Sequence, residues 1–145
     1  MELSRRALTL LLPAVAAAGQ KTEPEGNSQT LEGKPFKLAD LPWHGSPAGI
    51  SRSKAIFNGH TTRGQHLTMH ATELASGQRP HPAARQPHEE ILIVEQGTIE
   101  CTINGQTATL SPGDVVYSAF NDLKDWKNAG TGPAVYYVIS LEDHK

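Results

Sequence analysis

The chain has 145 residues, a length that supports one domain of ordinary size. Its 13 lysines and arginines against 15 aspartates and glutamates give a formal charge of −2, so we do not expect nucleic acid as a partner, which would need a basic surface. The single cysteine, Cys101, excludes an internal disulfide and a multi-cysteine zinc site.

The first eighteen residues have the features of an export signal. Arg5 and Arg6 precede an apolar run over residues 7–15, and the run ends in the small residues 16–18. The paired arginines resemble the twin-arginine signal of bacteria, with general secretory export as the alternative. The run is too short for a membrane-spanning helix. We therefore expect residues 1–18 to be a signal peptide and the mature protein to be periplasmic or secreted.

Residues 19–54 form the next segment, which is rich in proline, glycine, serine and charged side chains. Such a composition cannot bury a core of its own, so we expect an extended N-terminal segment that partly wraps the domain that follows. Trp43 is predicted to dock on that domain.

From residue 65 onward, short apolar runs alternate with turn residues and no helical period is present. Asn104 and Gly105 give the clearest hairpin, because both central residues of a type I′ turn need positive φ. Cys101 lies on the apolar side of its strand and is predicted to be an inert buried thiol. The pattern predicts an all-β sandwich or barrel. The predicted strands are residues 65–74, 90–95, 98–103, 106–110, 114–117, 125–128 and 133–141.

The stretch of residues 64–141 resembles the cupin family. Gly113 and Asn128 match the two ends of the family's second motif, while Glu90 and Gly97 match the second half of its first motif. The resemblance implies an antiparallel double-stranded β-helix, the cupin or jelly-roll barrel, which we assign to residues 55–145. It also implies a homodimer, which many cupins form.

The same resemblance indicates that most of the family's metal ligands are replaced. Its two first-motif histidines correspond to Ala84 and Gln86, and its second-motif histidine corresponds to Lys124. Of the four ligand positions, only Glu90 keeps the family's residue. Alanine offers no ligand atom, glutamine offers a weak carbonyl, and a protonated lysine repels a metal ion. We therefore expect no metal at the usual positions and no cofactor.

Lys124 is predicted to place its ammonium near the position of the family's metal, facing Glu90 across the barrel. An ion pair would keep both groups charged in a desolvated interior. In the alternative arrangement, Lys124 extends to solvent at the barrel mouth and Glu90 contacts water or a backbone amide.

A displaced metal site is a further alternative. His81, His88 and Glu90 lie close in sequence, and residues 88 and 90 share one face of an extended strand. Histidine and carboxylate together are good ligands for a divalent transition metal. However, prolines flank His81 and precede His88, which favours surface or hydrogen-bonding histidines instead.

These features predict an exported single-domain cupin whose metal-free barrel binds a small polar molecule of the carboxylate, sugar or phenol class. The alternative is an enzyme of the oxygenase, isomerase or decarboxylase type that uses a displaced metal, or Glu90 and Lys124 as acid and base. A structural module with a filled barrel is the third hypothesis. The predicted pocket residues are Ala84, Gln86, Glu90, Tyr117, Lys124 and Trp126.

Overall fold

The structure is a computed structural model that describes residues 29–46 and 48–143. The signal peptide predicted for residues 1–18 lies outside the described residues. Within the described ranges, the one helix is a single 3-10 turn at Leu38–Asp40, so no helix there is long and apolar enough to cross a bilayer. The strands are β1 (His44–Gly45), β2 (Ser51–His60), β3 (His66–Leu74), β4 (Ala84–Arg85), β5 (Glu89–Gln96), β6 (Ile99–Ile103), β7 (Gln106–Leu110), β8 (Val115–Ser118), β9 (Leu123–Asn128) and β10 (Ala134–Glu142).

These strands form two antiparallel sheets that pack face to face. The larger sheet has the order β1-β2-β3-β10-β5-β8, and the smaller has the order β4-β9-β6-β7. Along β9 and along β10 as far as Ser140, even-numbered residues are buried, because successive side chains of a strand point to opposite faces. The two buried sets meet where the rings of Trp126 and Tyr136 lie 6.4 Å apart, centroid to centroid. The predicted all-β jelly-roll barrel is confirmed.

The barrel interior is divided along the strands. One end is apolar and contains Leu74, Val94 and Ala134, which are at most 1% exposed. At the other end the inward-facing side chains are polar. There, Ser140 of β10 lies opposite Glu90 of β5 in the sheet register. The hydrophobic effect therefore stabilises one end of the barrel, while the other end must satisfy charges and hydrogen bonds.

The seven strands predicted from residue 65 onward are present, with ends that shift by two residues or fewer. The sequence missed β4 and also β1 and β2, of which β1 lies inside and β2 begins inside the stretch predicted as an extended segment. The sequence pattern does not reveal β2 because the charged side chain of Lys54, which would be expected at the surface, is buried. Its Nζ donates to the Leu38 carbonyl at 2.6 Å and lies 4.7 Å from the centre of the Trp43 ring. Trp43 therefore docks on β2, as predicted.

The predicted hairpin of Asn104 and Gly105 is confirmed. Their φ angles are 49° and 84°, and Ile103 pairs with Gln106 across the turn. Gly97, in the turn between β5 and β6, also has a positive φ of 82°. An added Cβ there would lie 2.9 Å from the Cα of Ala134, the first residue of β10, whereas at Gly105 it would meet nothing within 4 Å.

We therefore expect Gly97→Ala to destabilise the fold more than Gly105→Ala. Both substitutions force an alanine into positive φ, which costs about 1 kcal/mol. The backbone contact at Gly97 should raise its cost to about 3 kcal/mol. Urea unfolding measures both, with Gly132→Ala as the control in open space. Equal losses at Gly97 and Gly105 would contradict this account of the two turns.

Candidate functional site

Lys124 and Glu90 meet at the polar end of the barrel interior. The Nζ of Lys124 lies 2.5 Å from Oε2 of Glu90, and the two side chains are 2% and 12% exposed. Because Lys124 belongs to β9 and Glu90 to β5, the contact joins the two sheets. The ion pair predicted from the sequence therefore forms, and Lys124 does not extend to solvent.

The sheet register fixes where Lys124 points. Lys124 lies opposite Ala84 of β4 on one side and Ile103 of β6 on the other, and its side chain is on the buried face of β9. Ala84 and Lys124, which align with two histidines of the cupin motifs, are thus neighbours on adjacent strands. This adjacency supports the alignment from which the replacements were inferred.

Glu90 is held by groups on three sides. Its Oε1 accepts a hydrogen bond from Nε2 of His88 at 2.7 Å and a long one from Oγ of Ser140 at 3.5 Å. Burial alone would raise the pKa of Glu90, but hydrogen bonds and charges from Lys124 and His88 outweigh it, so the pKa lies below its ordinary value. Glu90 is therefore a carboxylate at neutral pH and supplies the charge that a buried ammonium needs.

Further contacts lead from this pair to the surface. Nδ1 of His88 lies 3.3 Å from Oε1 of Glu142, and Nδ1 of His66 lies 3.4 Å from Oε2 of the same carboxylate. The side chains of Glu142 and His66 are 45% and 30% exposed. His88 is therefore fixed between a buried carboxylate and an exposed one.

Lys124 has hydrogen-bonding capacity that the described residues leave unused. Its Nζ is fully buried, and apart from the Glu90 carboxylate it has no hydrogen-bond partner in residues 29–46 and 48–143. An ammonium carries three N–H donors, and buried donors in folded proteins nearly always have acceptors. The ring of Trp126 lies 5.7 Å from Nζ and offers its face rather than an acceptor atom. Part of the donor capacity of Lys124 is therefore unmatched by acceptors among the described residues.

A cavity of about 280 Å³ opens on the solvent side of His88. This volume is near the lower end of the range of roughly 300–1,000 Å³ that ligand pockets occupy, so it fits a small molecule. A cavity of about 400 Å³ lies at the opposite end of the strands, where Arg52 and Glu73 satisfy each other through two hydrogen bonds of 2.8 Å. The smaller cavity is lined by Pro87, His88, Glu89, Phe120, Leu141 and Asp143.

The structure brings together some of the predicted pocket residues. Ala84 and Trp126 lie next to Lys124, one across the strand pair and the other two positions along β9. Gln86 is half-buried, and its backbone carbonyl accepts a hydrogen bond from the amide of Asn121 at 2.9 Å. That contact fixes the backbone of the segment before β5.

Tyr117 corrects the predicted pocket, because it lies on the outer face of the barrel. Its neighbour Ser118 points inward and is 1% exposed, so Tyr117 points outward and is 58% exposed. Its hydroxyl donates to Oε1 of Glu89 at 2.9 Å, on the same outer surface. Tyr117 therefore does not line the interior that contains Lys124.

The predicted displaced metal site is not assembled. His81 is exposed, and its Nδ1 lies 2.8 Å from the carbonyl of the adjacent Pro82, while His88 is bound to Glu90. In the part of the chain that the structure describes, no three His, Cys, Asp or Glu side chains are grouped to hold a metal ion. At the positions that correspond to the cupin metal ligands, the ammonium of Lys124 is paired with the carboxylate of Glu90 and would repel a cation. This donor set does not fit a metal ion.

Two other interior groups are kept uncharged by burial. Burial lowers the pKa of His70, against a smaller opposing effect of the Glu90 charge. Burial also raises the pKa of Cys101 to about 11, and the side chain is buried, as predicted. Neither group therefore adds a charge next to the ion pair of Lys124 and Glu90.

We expect Lys124→Met to lower the free energy of unfolding by about 3 kcal/mol at pH 7, because it leaves Glu90 buried without a counter-charge. The loss should shrink in acid: the depressed pKa of Glu90 stabilises the wild type above the unfolded pKa of about 4.3 and less as pH falls. Urea unfolding against pH measures the effect.

Lys127→Met is the matched control, since Lys127 lies on the same strand but pairs with Glu100 on the outer face at 2.9 Å. It should cost well under about 1 kcal/mol. Adding Glu90→Gln to Lys124→Met should recover most of the loss. Equal losses in the two lysine variants would show that the buried pair has no special weight.

A family model described as Cupin domain matches residues 70–140, which include Glu90 and Lys124. No curated protein matches the sequence. KdgF from a Halomonas species is similar in structure, with a TM-score of 0.62 at 21% identity over 75% of this chain and 94% of that one.

Two further solved structures have the same fold. An RmlC-like cupin from Shewanella frigidimarina gives a TM-score of 0.62 at 10% identity over 78% of this chain and 95% of that one. A sugar phosphate isomerase of the cupin superfamily from Silicibacter pomeroyi gives 0.59 at 14% identity over 76% of each chain. At these identities, the likeness concerns the fold alone. With its two antiparallel sheets and its matching family model, the chain belongs to the cupin family.

Proposed function

We propose that this protein is an exported cupin that binds a small polar molecule in its barrel without a metal ion, with Lys124 as the group that contacts the ligand. The unused donors of the buried Nζ are the observation that carries this proposal. A charge-assisted hydrogen bond from a desolvated ammonium to a ligand oxygen is stronger than the same bond at the surface.

The charges around the site favour an uncharged ligand. Lys124 and Glu90 neutralise each other, while the mouth adds the carboxylates of Glu89, Glu142 and Asp143. A ligand carboxylate would be repelled by this acidic rim, whereas the hydroxyl and carbonyl oxygens of a sugar would not. Of the three classes that the sequence predicts, we therefore propose a sugar-like ligand.

Export remains part of the proposal. Arg5 and Arg6, the apolar run behind them and the small residues at 16–18 support a signal peptide over residues 1–18. The mature protein would then meet its ligand in the periplasm or outside the cell.

The test is isothermal titration calorimetry with uncharged sugars and polyols against matched sugar acids. We expect an uncharged compound to bind the wild type and the Lys127→Met control equally. Lys124→Met should weaken the affinity about ten-fold or more, because one charge-assisted hydrogen bond is lost. Lys124→Met with Glu90→Gln, which removes both charges, shows whether a loss reflects the missing donor rather than misfolding. Unchanged affinity in that folded double variant, or no binding by any compound, would contradict the proposal.

A further inference from the structure

We propose that the outer face of the larger sheet is the interface at which two copies of this chain form a homodimer. Apolar side chains lie in two rows across β10, β5 and β8, the last three strands of that sheet. Because opposite residues on antiparallel strands share a face, both rows lie on the outer side, to which Tyr117 points. We call this surface the open face, and its two rows are Ile139, Ile91 and Tyr117, then Tyr137, Ile93 and Val115.

The open face is apolar and accessible to solvent. Ile91 is 37% exposed, and Val115 and Tyr117 are each 58% exposed. Glu89 and Glu95 lie towards the two ends of β5 and border the apolar rows with carboxylates. A contiguous apolar patch with a polar rim is typical of a protein–protein contact.

The chain itself covers the other half of this sheet face. The first row continues through Met69 of β3 to Phe57 of β2, whose ring lies 5.5 Å from that of Phe36. The second row continues to Lys54 of β2, which lies under the ring of Trp43. The segment before β2 therefore packs over that strand, while the exposed fractions on β5 and β8 show that the described residues leave the open face uncovered.

The rest of the sequence offers no apolar segment for the open face. Once the proposed signal peptide over residues 1–18 is removed, the stretch that precedes the described residues is 19–28. This stretch contains no valine, leucine, isoleucine, methionine or aromatic residue, so it would gain little by covering apolar surface. The cover for the open face must therefore come from another molecule.

A second copy of this chain fits the open face. A two-fold axis brings the same patch together from both subunits, so that apolar rows meet apolar rows and the carboxylates stay at the rim. Those carboxylates would repel a nucleic acid or an anionic lipid surface. Three strands about 4.8 Å apart, running side by side for about 20 Å, cover about 300 Å². This area can form the apolar centre of an interface that buries about 800 Å² per partner.

The test is sedimentation equilibrium of the purified protein at micromolar concentration, at which we expect a dimer. Ile91→Lys places an ammonium in the middle of the first row, where the second copy would bury it without a counter-charge. The dissociation constant should therefore rise about ten-fold or more. Leu123→Lys is the matched control, since Leu123 is 40% exposed but belongs to β9 of the smaller sheet. It should leave the dimer unchanged.

Circular dichroism verifies that each variant folds. If Ile91→Lys does not fold, Val115→Lys decides, because Val115 is more exposed and lies on the edge strand β8. It should also weaken the dimer.

A wild-type protein that stays monomeric would overturn this inference, even if its open face then bound a lipid vesicle or an unrelated protein. A dimer that persists in the folded Ile91→Lys and Val115→Lys variants, or that Leu123→Lys weakens equally, would also overturn it. The result is independent of the proposed function, because Lys124 lies inside the barrel. Lys124→Met with Glu90→Gln should therefore still dimerise, whether or not it binds a sugar.

Discussion

An ammonium group taken out of water must face an opposite charge, and this constraint organises the polar end of the barrel. Lys124 meets it through Glu90, which belongs to the other sheet, so the ion pair also ties the two sheets together. Glu90 in turn is held by hydrogen bonds from His88 and Ser140, and His88 is fixed by Glu142 nearer the surface. The arrangement at the mouth thus depends on one buried charge pair.

This protein has the cupin fold, but at that ion pair its side-chain chemistry differs from the family's metal site. The sheets have the arrangement found in other cupins, residues 70–140 match the cupin family model, and Ala84 and Lys124 are neighbours on adjacent strands. By the motif alignment, an amine on a flexible stem stands at position 124, where the family resemblance implies a ligand histidine. A metal ion accepts lone pairs from several atoms, whereas an ammonium donates protons to them. The proposed ligand would therefore be held through hydrogen bonds rather than through coordination.

Sequence patterns predicted the parts of this structure that depend on local chemistry. Period-two alternation and the turn residues Asn104 and Gly105 located seven strands, and the motif spacing placed Lys124 opposite Glu90. The predictions that failed concern side chains whose burial or orientation depends on residues distant in the sequence. Lys54 is buried in β2 because the Leu38 carbonyl and Trp43 cover it, and Tyr117 faces outward because β8 turns Ser118 inward. His88 contacts Glu142, which is far from it in the sequence, so no short sequence pattern could predict this contact.

Elemental analysis tests the central claim, that the Lys124 ammonium stands where a cupin metal would bind. The mature protein is purified without a chelator or an affinity-metal resin and then titrated with iron, manganese, zinc, copper and nickel. The account predicts that no metal binds stoichiometrically, and that the Glu90 carboxylate remains paired with Lys124 at every metal concentration. One tightly bound metal ion per chain would contradict this claim and would indicate a metal site formed by other residues of the barrel.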